Sequence, residues 1–170
     1  GLASAPPAAR PALDGLAGVF GFVPNLGYAL AVEPAVLGIY PGMLQALGET
    51  SLDPVAQQVA MVAASRANAA DYGIAVHATL ASKLGAPAEI VSALRKGGPL
   101  PEPRLEAVRR FAEAIASHRT QVADGDVRAL QAAGLDHRAA VAIALAVAAK
   151  TLVNAVAHLS RVEIDEGFRA

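Results

Sequence analysis

The sequence predicts an all-α fold, and three observations carry that prediction. Hydrophobic residues make up 54% of the 170 residues while only 4% are aromatic, a balance rich in alanine and valine that suits closely packed helices better than a sandwich of aromatic strands. Apolar residues recur at helical spacing, most plainly as Leu105, Val108, Phe111, Ala112 and Ile115, with Glu106, Arg109, Arg110 and Glu113 on the other side. No segment alternates with period two for long enough to form a strand.

Taken in order, residues 1–13 are rich in Ala and Pro and read as an irregular N-terminal arm, and residues 14–170 as a single all-α domain. Pro24 and Pro34 can each open a short helix, and Pro41 is expected to end or kink the second. Asp53 caps the next helix with Pro54 at its first position, and the stretch Asn68–Asp71 closes it. A helix carrying His77 follows and stops at Gly85. Another starts near Pro87 and Glu89 and runs to about Lys96, and GGPLPEP is a loop. An amphipathic helix is expected from Arg104 to about Arg119, and a short one from Asp124 to Ala133 with Gly134 as its stop. Asp136 then caps the last and longest helix, running to roughly Val162.

A chain of 170 residues can bury a core without disulfide or metal staples. Fourteen Lys and Arg against fifteen Asp and Glu give a net charge of -1, so no basic field exists to hold nucleic acid or an anionic membrane surface. Cysteine is absent, which removes disulfides, thiolate nucleophiles and thiol redox cycles. The opening GLASAPPAARPALDG lacks the basic start and apolar run of a secretory signal, so a cytoplasmic location is the expectation. The span from Ala139 to Leu159 is nearly long enough to cross a bilayer. Lys150 near its middle would cost roughly 2.5–3.5 kcal/mol there, so a helix buried in protein is expected instead.

Few side chains can carry chemistry. At 100° per residue His77 sits at the centre of a face shared with Gly73, Ile74, Leu80, Ala81 and Leu84, and Gln58 falls among Val55, Met61 and Val62 on the preceding helix. Two inward polar groups need partners or a role. An imidazole with an ordinary pKa near 6.5 suits proton transfer at neutral pH, while the plainer reading is a hydrogen-bonded core histidine. On the last helix Lys150, Asn154 and His158 follow one another at i, i+4 and i+8. They either line a pocket, or Lys150 snorkels and Asn154 ties down a loop. No HxxH or HExxH spacing supports a metal, Glu163 and Asp165 lie beyond the apolar stretch, and no Walker, GxGxxG or GxSxG motif is present. No metal and no cofactor are expected.

Three stretches, FVPNLGYALAVEP, the hairpin from Asp53 to Gly85, and LVNAVAHLSRVEID, resemble the alkylhydroperoxidase D and carboxymuconolactone decarboxylase superfamily, especially its peroxidase-related branch. The likeness runs from about Gly15 to Asp165. It implies an alkylhydroperoxidase D-like helical domain with a central helical hairpin and a long apolar C-terminal helix. In the peroxidases this hairpin bears Cys-x-x-Cys-x-x-x-His after a helix with a Glu twelve residues before the first Cys. With the register set by Tyr72, His77 and ATLASKLG, the cysteine positions fall on Ala70 and Gly73 and the Glu position on Gln58. Only His77 matches. The dithiol cycle that the resemblance implies therefore has no nucleophile, and thiol peroxidase activity is expected to be absent. The decarboxylase branch is similar in lacking the cysteine pair and keeping the histidine.

The leading expectation is cofactor-free acid–base chemistry, decarboxylase- or lyase-like, on a small organic acid or lactone. His77 is the candidate acid or base, with His158 as a second catalytic candidate and Gln58, Lys150 and Asn154 orienting the substrate. A non-catalytic oligomeric scaffold or ligand-binding protein is the alternative, and peroxidase-related activity without thiols a second one. The apolar last helix and the resemblance together imply a homo-oligomer, trimeric or hexameric, with a small-molecule ligand as the other expected partner.

Overall fold

The computed structural model describes residues 5–118 and 120–169. Nine α-helices are found among them: α1 (Arg10–Phe20), α2 (Asn25–Leu30), α3 (Pro34–Gly48), α4 (Pro54–Ala67), α5 (Asp71–Lys83), α6 (Ala88–Lys96), α7 (Pro103–Ser117), α8 (Asp124–Ala132) and α9 (His137–Leu159). Short 3₁₀ turns lie at Pro7–Ala9 and Glu166–Phe168, and the described residues hold no strand. The fold is the expected all-α one.

Local chemistry sets most boundaries. The Asp53 carboxylate accepts from the Ala56 N–H at 2.9 Å and the Asp136 carboxylate from the Ala139 N–H at 3.0 Å, so both predicted N-caps satisfy backbone donors that open their helices. Pro34, Pro54 and Pro103 each occupy a first helical position, where a missing N–H costs nothing. Gly85 and Gly134 take the left-handed φ of +85° and +76° that stops α5 and α8.

Two expectations need correction. Residues 1–13 do not form an irregular arm throughout: a 3₁₀ turn begins at Pro7, α1 begins at Arg10, and Ala9 and Leu13 are fully buried. Pro11, near the start of α1, is tolerated where no intrahelical donor is needed, and burial of one apolar edge supplies the rest. Residues 1–4 of that arm, Arg119 at the predicted end of the amphipathic helix, and Ala170 lie outside the described residues. Pro41 does not end its helix either, since α3 runs through it to Gly48. The proline is exposed, while Leu37, Tyr40 and Leu47 are buried, so packing on both sides outweighs one lost backbone bond.

Helix α4 lies at the centre and packs against α5, α7 and α9, while α9 also touches α2 and α3. One apolar core joins α4, α7 and the first half of α9 through Val59, Met61, Val108, Phe111, Ile143 and Val147. A second joins α1, α2, α3, α5 and the second half of α9 through Leu13, Leu30, Leu37, Tyr72, Val153 and Phe168. In α7 the charged side carries Arg109 between Glu106 at 2.7 Å and Glu113 at 2.8 Å, and Leu105, Val108, Phe111, Ala112 and Ile115 face inward as the periodicity predicts.

Candidate active site

The α4–α5 hairpin is close-packed because Gly73 has no side chain. An ideal Cβ there would lie 2.3 Å from Ser65 Oγ and 2.9 Å from Asn154 Oδ1. Ser65 is itself buried, with its hydroxyl donating to the Met61 carbonyl at 2.8 Å. One turn beyond Gly73, the two helices bring His77 Nδ1 to 2.8 Å from Gln58 Oε1. The amide oxygen can only accept, so Nδ1 carries the proton and Nε2 keeps its lone pair.

Nε2 has no hydrogen-bond partner among the described residues, and the ring lines a cavity of about 70 Å³. Leu16, Phe20, Leu26, Leu30, Val76 and Phe168 supply much of its wall, and its polar lining comes from His77, Lys150, Tyr40 and Tyr72. A cavity of this size exceeds the space for one water and admits a small organic molecule. His77 is 4% exposed, and burial first, then the neighbouring Lys150 charge, holds its pKa well below 6.5. The ring is neutral at pH 7.

Lys150 is the least expected occupant. It is 1% exposed and finds no hydrogen-bond or ion-pair partner among the described residues, and burial alone lowers its pKa from 10.5 to about 7. It does not snorkel: α9 runs through the interior at this point, between Ala146, Ala149 and Val153, so four methylenes cannot reach solvent. Tyr40 is buried from α3, its hydroxyl also without a partner among the described residues, and desolvation raises its pKa so that it stays a phenol. Tyr72 is raised as well, by burial and then by its 2.8 Å bond to the Asp165 carboxylate.

The same carboxylate accepts from the Asn25 N–H at 3.0 Å, and Asn25 Nδ2 donates to the Glu163 carbonyl at 3.1 Å. Asp165 thus ties α2 and the C-terminal segment to the cavity wall, and Phe168 seals the wall edge-on to Phe20 at 5.7 Å and to Tyr72 at 6.4 Å. An Asp165→Ala variant is expected to lose about 1–3 kcal/mol, read as a lower urea midpoint with an unchanged m-value.

The structure therefore brings together His77, Gln58 and Lys150 of the predicted set. It does not bring in the others. His158 lies exposed, two turns and about 12 Å along α9 from Lys150, with Nε2 at 2.9 Å from the Asn68 carbonyl, in a separate surface groove. Asn154 is buried against Gly73 and Ser65 and approaches Ser65 Oγ only at 3.5 Å, so it packs the helix crossing instead of reaching a ligand. The i, i+4, i+8 stripe fails as one surface because three neighbours meet its successive turns in different ways. Of the positions that align with the redox pair, Ala70 borders the His158 groove and Gly73 is filled by its neighbours. His77 and His158 do not face each other, and the described residues contain no cluster of three or more His, Asp or Glu able to hold a metal.

Sequence reasoning missed Tyr40 and Gln57. Tyr40 shares a helix face with Leu37 and Leu44, a spacing that could have marked it as inward. Gln57 is buried beside Gln58, and its amide donates to the Leu47 and Leu52 carbonyls at 3.1 and 2.7 Å, closing the loop before α4. Periodicity marked Gln58 as inward, but α4 is apolar on the Gln57 side as well, with Ala60 and Ala64 on that face, so that side too is buried.

With His77 neutral in the folded chain, acid should weaken the fold. The unfolded chain takes up this proton near pH 6.5 and the folded one only well below, so stability is expected to fall as pH drops through 6.5. Thermal melts between pH 7 and 5 would read this, and a His77→Gln variant should flatten that dependence.

No family model and no curated protein matches this sequence. Solved structures do match in fold. An uncharacterized peroxidase-related protein from Ralstonia eutropha JMP134, described as an alkylhydroperoxidase AhpD core, superposes with a TM-score of 0.86 at 24% identity, over 99% of this chain and 90% of that one. A peroxidase-related protein from Silicibacter sp. TM1040 gives 0.81 at 20% identity, over 98% and 91%. The debrominase Bmp8, in a cysteine-to-alanine form bound to 2,3,4-tribromopyrrole, gives 0.79 at 17% identity, over 96% and 88%. The fold of this chain is the alkylhydroperoxidase D-like one, on a sequence without cysteine.

Proposed function

We propose that this chain is an acid–base catalyst acting on a small organic acid or lactone held in the His77 cavity. The observation that carries the proposal is a neutral, buried imidazole that lines a largely apolar cavity, with its tautomer fixed by Gln58 and its Nε2 without a partner among the described residues. Such a nitrogen can take a proton from a carbon next to a carbonyl and return it elsewhere, which is what a decarboxylation or double-bond shift requires. Lys150 and Tyr40 are the groups available to receive a carboxylate or carbonyl oxygen, and the low polarity around them strengthens any charge interaction they make. This reading needs no thiol and no cofactor.

Small lactones and unsaturated or keto acids, screened for CO₂ release and ultraviolet change, test it. The expected result is turnover that falls by about 10²–10⁴-fold in His77→Ala with the fold intact by circular dichroism. An active wild type with an unchanged rate in that variant removes His77 as the base. The mainly apolar wall also favours a second reading, a non-catalytic binder of a small apolar molecule. Saturable binding without turnover across the screen would select it.

We further propose self-association through α9. Val141, Ala144, Ala148 and Thr151 are exposed along one side of that helix at alternating spacings of three and four residues, the pattern of a helix-packing seam. Sedimentation at micromolar concentration should show an oligomer, and Ala148→Glu should shift it toward monomer.

A further inference from the structure

We propose that Lys150 is a carbonyl-capturing amine, and that the cavity takes small, largely apolar aldehydes or ketones, keto acids included, as covalent adducts on its Nζ. This goes beyond the acid–base reading, which asks of Lys150 only that it hold a substrate oxygen. Both share one cavity.

Three observations support it. Lys150 is buried, unpaired among the described residues, and lines a cavity large enough for an organic molecule. A buried lysine normally has a carboxylate or a ring of acceptors to justify its desolvation, and no Asp or Glu among the described residues lines this space. The titratable groups that face it are Tyr40 from α3 and Tyr72 and His77 from α5, with only apolar side chains contributed by α1, α2 and the C-terminal turn. With no anion to hold its proton, the amine is half deprotonated near pH 7, where an exposed lysine is almost wholly ammonium. A desolvated lysine in a hydrophobic pocket is a recognised route to an amine nucleophile.

The chemistry closes on the groups present. The Nζ lone pair attacks the carbonyl carbon, forming a C–N bond. The carbonyl π pair moves to oxygen, which gains a proton that the nitrogen gives up. The nitrogen lone pair then expels that hydroxyl, which takes up a proton from solvent and leaves as one water, and the nitrogen keeps its remaining proton, so the product is the protonated imine, an iminium. The Tyr40 phenol, a donor without a partner among the described residues, can hydrogen-bond the oxygen as charge builds on it. Once an iminium is formed, it draws electrons from the adjacent C–H or C–CO₂⁻ bond, and an adjacent C–H proton can pass to His77 Nε2.

The chain has three lysines, and the other two, Lys83 and Lys96, are exposed, so the test has internal controls. The folded protein is incubated at pH 7 with propanal and sodium cyanoborohydride, whose hydride reduces an iminium to a stable propylamine, and the modified lysines are mapped by peptide mass spectrometry. Lys150 should be propylated at least about tenfold faster than Lys83 or Lys96. The preference should disappear in urea, where all three amines become alike. Modification of Lys83 and Lys96 with Lys150 untouched, or the same rate at all three in the folded state, overturns the proposal. Lys150→Met should lose the fast phase, and if that variant does not fold, the wild-type site map decides alone. Because trapping needs no turnover, its failure leaves the role of His77 standing, and a protein that traps propanal but loses no turnover in His77→Ala fails the other reading instead.

Discussion

Replacing Lys150 by methionine is expected to raise stability at pH 7 by about 2–4 kcal/mol, roughly 5–15 °C in melting temperature for a chain of this size. Methionine keeps the length and most of the volume of the lysine stem and removes a charge that the interior does not pair. The pH dependence gives the sharper signature. The unfolded chain holds the Lys150 proton up to 10.5, whereas the folded chain releases it at about 7. Between those values unfolding takes up a proton, so stability rises with pH by about 1.4 kcal/mol per unit, close to 5 kcal/mol across the window. The Lys150 contribution is least favourable at and below pH 7, where the folded chain must hold a buried ammonium. Above pH 10 the trend reverses, because Tyr40 and Tyr72 ionise more readily in the unfolded chain. Melting curves from pH 7 to 9 should climb in the wild type and stay nearly flat in Lys150→Met. A wild-type melting temperature that is level or falling over that range would contradict the burial of an unpaired amine.

The second large effect concerns Gly73. A Gly73→Ala variant should lose about 2 kcal/mol or more, although alanine favours a helix over glycine by about 1 kcal/mol, because the new methyl meets Ser65 and Asn154 at distances no relaxed packing shows. Combining it with Ser65→Gly should recover part of the loss, since two of the three close contacts come from Ser65, and a purely additive double variant would refute the steric account. The chemical counterpart is that Ala70→Cys with Gly73→Cys should not give a working dithiol peroxidase. The second sulfur has no space to enter, and Gln58 cannot act as the base that would form a thiolate. Hydroperoxide consumption above buffer by that double variant, with the native melting temperature retained, would show that the hairpin can reopen.

These two sites also show how far the sequence could be read. The resemblance puts a cysteine position at Gly73, and helical periodicity turned His77 on α5 and Gln58 on α4 toward the interior, where they meet at 2.8 Å. Spacing could not say that Gly73 is packed shut, because Ser65 and Asn154 reach it from two other helices. Nor could it separate Lys150 from Asn154 and His158. The three lie on one helix at regular intervals, and their surroundings are set by α3, α4 and α5, which cross α9 at different heights.

Sequence alone determined the helical class, most helix ends and the absence of sulfur chemistry, because composition, caps, prolines and left-handed glycines act within a few residues of where they stand. Pro41 and residues 7–13 are where such local rules failed, and in both places burial contributed by distant segments outweighed a local preference. The cavity was decided only by tertiary structure. It joins Tyr40, His77, Lys150 and Phe168 from four separate segments, and the titration of its imidazole and amine follows from how much water those segments exclude together.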